Sequence, residues 1–150
     1  MKRLVGRSEI RPAKTSDAVE IARLSAELGY SISIDEIHAV LDRLLADSRH
    51  LIAVIDGHGD RLLGWMHVEQ RTSMQTADRA ELIGLVVDSA ARRRGLGRAL
   101  VDAAEQWARS RGLTTVTVRS NVTRELSHPF YEALGYVREK TQHSYRKRFR

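Results

Sequence analysis

The chain has 150 residues, 42% of them apolar and 29% charged, with a formal net charge of +6 and no cysteine. That length predicts one domain over residues 1–150 with a real core, and the missing cysteine excludes disulfides, thiolate metal sites and a cysteine nucleophile. No apolar run approaches the roughly 20 residues of a bilayer span, and no charged-then-apolar leader opens the chain, so a cytoplasmic protein without membrane contact is expected.

Residues 9–13 read as a short strand ended by Pro12, which has no N–H to donate. Asp17 and Glu20 have the spacing of a capping box. The helix they predict carries Ile21, Leu24 and Leu28 on one face and stops at Gly29. A second box, Ser33 with Glu36, predicts a helix striped by Ile37, Leu41, Leu44 and Leu45. The period then shortens. Residues 51–55 and 62–68 flank the glycine-containing turn 56–60 and predict a β-hairpin.

A polar loop over 72–79 leads to a strand over 81–87. The next helix has Leu96, Leu100, Ala103, Ala104 and Trp107 at helical spacing and closes at Gly112. The β-branched stretch 114–118 is strand-like, and right-handed crossover geometry lays it parallel to the 81–87 strand. Ser127 and Pro129 open a short helix with Phe130, Tyr131 and Leu134, ending at Gly135; residues 136–149 have room for one or two final strands. The order is β-α-α-β-β-β-α-β-α-β, an α/β (α+β) domain around a mixed sheet. That order alone implies no function.

The positive charge is local. Four basic residues crowd the turn 92–98 and four the tail 146–150, while the remainder is slightly acidic. Without a basic face spread over the fold, no nucleic-acid partner is expected. The six histidines show no paired metal-ligand spacing, so no metal is expected either.

The turn itself is the strongest chemical signal. Arg92-Arg93-Arg94-Gly95-Leu96-Gly97-Arg98 follows an apolar strand and opens a helix, and the first helical N–H groups have no intrahelical partner. Such a helix start is a ready phosphate site. A nucleotide-binding lysine loop needs Lys-Ser or Lys-Thr after the second glycine, where this chain has Arg98-Ala99. A dinucleotide fingerprint wants glycine or alanine where Leu100 stands, and belongs to the first βαβ unit of a chain. Neither fits.

Arg-x-x-Gly-x-Gly at Arg92–Gly97, followed by Phe130-Tyr131-Glu132-Ala133-Leu134-Gly135-Tyr136, strongly resembles the GNAT superfamily of N-acetyltransferases, over nearly the whole chain. The resemblance implies a mixed, mostly antiparallel sheet with a central splayed parallel pair and flanking helices. It implies acetyl-CoA as donor, with the pyrophosphate on the amides of the turn Arg92, Arg93, Arg94, Gly95, Leu96, Gly97 and Arg98. The pantetheine arm would run like an extra strand along Leu85, Val86 and Val87, with a free N–H near Val86 or Val87 as oxyanion donor. Asn121 matches an asparagine that holds the pantetheine, although the chain has extra residues after it. Tyr131 matches the tyrosine that protonates the coenzyme thiolate. Glu81 stands where several members place their general base; pairing with an arginine such as Arg79 is the structural alternative, and Glu69 and His67 are other candidates. Transfer would be direct, in a ternary complex, and a homodimer is compatible with the family.

The family uses its two early helices as the acceptor wall. Here residues 16–49 carry Asp17, Glu20, Glu27, Asp35, Glu36, Asp42 and Asp47 against Arg23, Arg43 and Arg49. Either that acidity attracts a small cationic amine, or these are two ordinary solvated helix faces. A protein or peptide amine, N-terminal or lysine, is the alternative acceptor. From another class, an acyl-CoA-binding sensor would keep the glycine turn without needing Glu81 or Tyr131.

Overall fold

In the computed structural model, residues 3–5, 8–92, 94–119 and 127–150 are described, and the chain divides into two compact units, Met1–Val118 and Arg119–Arg150. The first unit is built on a six-stranded sheet in sequential order: β1 (Arg3–Val5), β2 (Ser8–Pro12), β3 (His50–Asp56), β4 (Leu62–Arg71), β5 (Arg79–Val87) and β6 (Val116–Val118). Neighbours are antiparallel except β5 and β6, which run parallel as the crossover argument requires. The three-residue β1 is an addition to the expected order. So short a segment leaves no readable period.

β3 and β4 carry the core on both faces. On one face Ile52, Val54 and Val86 pack with Ile21 and Leu24 of helix α1 (Ala18–Glu27) and Ile37 and Leu41 of α2 (Ile34–Leu45). On the other lies α3 (Leu96–Ser110), close enough that a Cβ on Gly64 would sit 3.3 Å from Leu100. The expected α3 stripe is buried at Leu96, Leu100, Ala103 and Ala104. Trp107 stays at the margin, with the Arg111 guanidinium 4.8 Å over its ring.

The two predicted capping boxes fare differently. Ser33 Oγ accepts the Glu36 N–H at 3.1 Å and Glu36 accepts the Ser33 N–H at 3.3 Å, as the spacing requires. Asp17 and Glu20 form no such box. Asp17 accepts the Lys14 N–H at 2.7 Å, closing a 3₁₀ turn over Thr15–Asp17 before α1, and takes two bonds of 2.9 Å from Arg11. Glu20 instead accepts from Arg23 and from the Leu62 N–H at 2.8 Å. An arginine takes each carboxylate, Arg11 for Asp17 and Arg23 for Glu20, with the Lys14 and Leu62 amides beside them, so neither is left to close a box at the start of α1.

In the second unit α4 (Ser127–Ala133) forms as expected and the chain turns at Gly135. The final strands do not form: residues 136–150 have no regular secondary structure. Val137, Tyr145 and Phe149 are 88%, 92% and 89% exposed. Three apolar side chains scattered among basic ones offer no face to bury, and an unburied strand has little to hold it.

Candidate active site

The site begins at a strand edge. The β5–β6 pairing joins Ala80, Glu81 and Leu82 to Val116, Thr117 and Val118 and goes no further, while β5 continues to Val87. A register shift opposite His67 and Val68 marks the same place: His67 pairs with Gly84 and Val68 with Leu82, so Ile83 is the extra residue. Beyond it, residues 83–87 have a strand partner only on the β4 side among the described residues. Leu85, Val86 and Val87 lie on this edge, whose free backbone groups suit an extended amide-bearing arm. Gly84 cannot be replaced simply, because a Cβ there would lie 2.7 Å from the Trp65 ring. The Trp65 indole N–H is buried and unpaired among the described residues, a donor in want of an acceptor.

The turn after β5 has the form of an anion-binding helix start. Gly95 caps α3 in the left-handed region, φ +74°, with no side-chain cap. The first intrahelical bond runs from the Ala99 N–H to the Gly95 carbonyl at 3.1 Å, which leaves the amides of Leu96, Gly97 and Arg98 outside the helical ladder. The Leu96 side chain is buried, so this residue offers only its backbone; the side chains of Arg92, Arg94 and Arg98 are exposed. Arg93 lies outside the described residues, as does Asn121. Open strand edge, unpaired turn amides and the orphaned indole together fit a molecule with an amide-rich arm and a pyrophosphate.

Asp88 holds this turn and was not among the candidates. It is 1% exposed, caps the short helix Ser89–Ala91 through the Ala90 N–H at 2.9 Å, and accepts from Arg61 at 2.8 Å and Arg23 at 3.2 Å. Burial pushes its carboxyl up, and the amide and two guanidinium groups more than reverse that, so its pKa lies below the usual value. Its N–H donates to the Leu63 carbonyl at 2.8 Å, which fixes the exit of β5 against β4. The signal in the sequence was an aspartate two residues before an amide it could bind at the end of a strand. Asp88→Ala is expected to lower stability by about 2–3 kcal/mol and to weaken acetyl-CoA binding several-fold. Thermal unfolding and a coenzyme titration check both.

A polar row crosses the α1–α2 face of the sheet. His50, Glu69, Glu81 and Thr117 are successive cross-strand partners on β3, β4, β5 and β6. Glu81 is 5% exposed, with Arg71 Nη1 at 3.4 Å, Thr117 Oγ1 at 3.5 Å and Arg79 Nη2 at 3.9 Å. The pairing with Arg79 weighed in the sequence is present, with Arg71 as a closer partner that also reaches Glu69 at 3.3 Å. One row along, His67 Nε2 is 2.9 Å from His50 Nδ1. Burial above all, and then the charge of His50, depress His67 to about 4.

In the second unit Tyr131 is half-buried on α4, its ring 5.0 Å from Phe130 and 6.0 Å from Tyr136, edge-on to both. Among the described residues no cluster of three His, Asp or Glu could hold a metal, and no helix is long and apolar enough to cross a membrane.

An open strand edge followed by an amide turn suits the arm and pyrophosphate of a coenzyme A thioester, the donor of acyltransferases. Residues 17–136 match the acetyltransferase (GNAT) family, and the chain belongs to it; it is an acetyl-CoA-dependent N-acetyltransferase. It is 30% identical over 147 residues to the aminoglycoside N(6′)-acetyltransferase type 1 of Klebsiella aerogenes, covering 92% of this chain and 95% of the relative. The fold is shared with the aminoglycoside antibiotic 6′-N-acetyltransferase AAC(6′)-Ih of Acinetobacter baumannii: TM-score 0.83, 20% identity, 95% of this chain and 99% of that one. It is shared equally with AAC(6′)-Iy bound to the bisubstrate analogue CoA-S-monomethyl-acetylneamine: TM-score 0.83, 19% identity, again 95% and 99%.

Proposed function

We propose that the protein acetylates a small cationic amine of the aminoglycoside type, by direct transfer while acetyl-CoA and acceptor are bound together. The end-to-end similarity to an aminoglycoside N(6′)-acetyltransferase carries this reading. Acetyl-CoA supplies the acetyl group as a thioester. The edge at Leu85, Val86 and Val87 would hold its arm, and the amides of Leu96, Gly97 and Arg98 its pyrophosphate. A strand N–H at Val86 or Val87 stabilises the developing oxyanion. Tyr131 donates its phenolic proton to the departing thiolate, and a base on the polar face of β4–β5 relieves the amine of its proton.

The acidity of residues 16–49 narrows once the pairs are visible. Asp17 is tied to Arg11, Glu20 and Glu27 to Arg23, and Asp47 to Arg49. Asp35, Glu36 and Asp42 of α2 remain exposed and are the carboxylates that would meet a cation. Neamine should be acetylated at least tenfold faster at limiting concentration than neutral amino acids. The advantage should shrink between 0.1 and 1 M salt, as the Debye length falls from about 10 Å to about 3 Å. Equal rates across the amines, indifferent to salt, would remove the cationic acceptor from the reading.

A further inference from the structure

His50 and His67 form a titratable pair to which the reading above gives no named part. They come from the facing strands β3 and β4, whose register pairs His50 with Glu69 and Ile52 with His67, so the two rings are diagonal neighbours. The rings stand 5.1 Å apart at 40°, and the 2.9 Å contact joins Nδ1 of His50 to Nε2 of His67. Since neither nitrogen can accept without the other donating, one proton lies between them. The pair is too tight for a shared metal: two imidazole nitrogens at tetrahedral zinc distances would be about 3.3 Å apart.

What surrounds the pair gives it a direction. His50 Nε2 is 3.7 Å from Asp47, and His50 Nδ1 is 3.7 Å from Glu69. Both carboxylates also meet arginines, Asp47 through Arg49 at 3.1 Å and Glu69 through Arg71 at 3.3 Å. His67 faces Gly84, a residue with no charge, at the place where β5 leaves β6. Its Nδ1 has no hydrogen-bond partner among the described residues. A positive charge on the pair therefore rests best on His50, between two anions, and the depressed basicity of His67 agrees.

We infer that His67 is the base that takes the acceptor's proton, and that His50 stores it and passes it to solvent at Asp47. The inference rests on the acetyl-transfer reading proposed above. An N–H bond of the ammonium breaks as an Nδ1–H bond forms on His67. The Nε2–H bond of His67 breaks as an Nδ1–H bond forms on His50, leaving that ring an imidazolium. Its Nε2 proton then departs past Asp47, which lies at the surface. The starting tautomers return once the product has left: solvent re-protonates His50 at Nε2, the inter-ring proton moves back to His67 Nε2, and His67 Nδ1 gives its proton to water. Glu81 takes no part in this path, because Arg71, Arg79 and Thr117 already face its oxygens.

Two measurements test the pair. The first needs no acceptor. With ¹⁵N-labelled histidine in the full chain bound to coenzyme A, His50 should be the protonated ring at low pH, with His67 neutral and carrying its proton on Nδ1. As pH rises and His50 loses its charge, His67 should switch to the Nε2–H form. A His67 that keeps one tautomer throughout, or that charges before His50, overturns the relay. The second follows a single turnover of acetyl transfer to neamine. His67→Gln should slow it on the order of 100-fold at neutral pH, with recovery as pH approaches the free amine's own pKa, and acetyl-CoA affinity unchanged. His50→Gln should slow it less and move the acid limb. Wild-type rates and pH profile in His67→Gln overturn the inference, as does a loss confined to Glu81→Gln. If the wild type binds acetyl-CoA but transfers nothing to neamine, the acceptor reading fails, and the tautomer exchange alone decides the relay.

Discussion

Tyr131→Phe is expected to lower acetyl transfer about 100-fold at neutral pH while acetyl-CoA affinity stays within about twofold. The substitution removes one oxygen and keeps the ring. The edge-on contacts to Phe130 and Tyr136, and the bond from the Tyr136 N–H to the Tyr131 carbonyl at 3.0 Å, do not depend on that hydroxyl. Packing in α4 is therefore preserved, and what would be lost on the proposed mechanism is a proton donor for the departing sulfur. A thiolate leaving without a proton is the poorer leaving group, so the defect should fall on kcat and should ease with thioesters of more acidic thiols. Steady-state rates beside a coenzyme titration make the distinction. Loss of affinity in step with loss of rate would assign Tyr131 a packing role, and an undiminished rate would remove it from the chemistry.

Arg11→Ala should cost about 3 kcal/mol of folding stability, the lower part of the range for breaking a buried ion pair. Arg11 sits between two acids, donating twice to Asp17 at 2.9 Å and to Asp56 at 2.9 and 3.0 Å. The Arg11 and Asp17 side chains are only 14% and 9% exposed, so truncation leaves a carboxylate without its counter-charge in a poorly hydrated place. Asp56 is more open at 38% and contributes less. Melting should drop on the order of 10 °C for a chain this size. The pH dependence follows from Asp17. Burial raises its pKa, but Arg11 and the Lys14 amide lower it further, so the folded value lies below that of the unfolded chain. The pair's contribution is then complete above about pH 4, the ordinary aspartate value, and is lost as pH falls below it toward the folded value. Denaturant midpoints between pH 3 and 7 should show a steep acid limb in the wild type and a shallower one in Arg11→Ala. A variant as stable as the wild type at pH 7 would show that Asp17 finds other support.

Local pattern carried much of the fold. The hairpin over β3 and β4, the Ser33–Glu36 box and the α3 stripe depend on neighbours two to four residues apart, and a one-dimensional period reports those directly. The parallel pairing of β6 with β5 followed from chirality, which acts on any strand–helix–strand unit. The same logic misled at Asp17 and Glu20, whose spacing suited a box while Arg11, Arg23 and the Leu62 amide took their oxygens. It misled again over residues 136–149, where room for strands existed but not the apolar faces to hold them.

The chemistry divides along the same line. The glycine turn after an apolar strand was readable because the anion site proposed there would use backbone amides, and a turn's backbone is dictated within a few residues. That was enough for the donor. The Asp88 anchor, the tie of Glu81 to Arg71 and the His50–His67 contact join residues 10 to 65 positions apart. Strand register, with a bulge at Ile83, decides which of them meet. A shift of one residue sends every side chain to the opposite face. The sequence alone determined the class of fold and the coenzyme; only the assembled sheet decided which acids are already occupied and which bases stand beside the open edge.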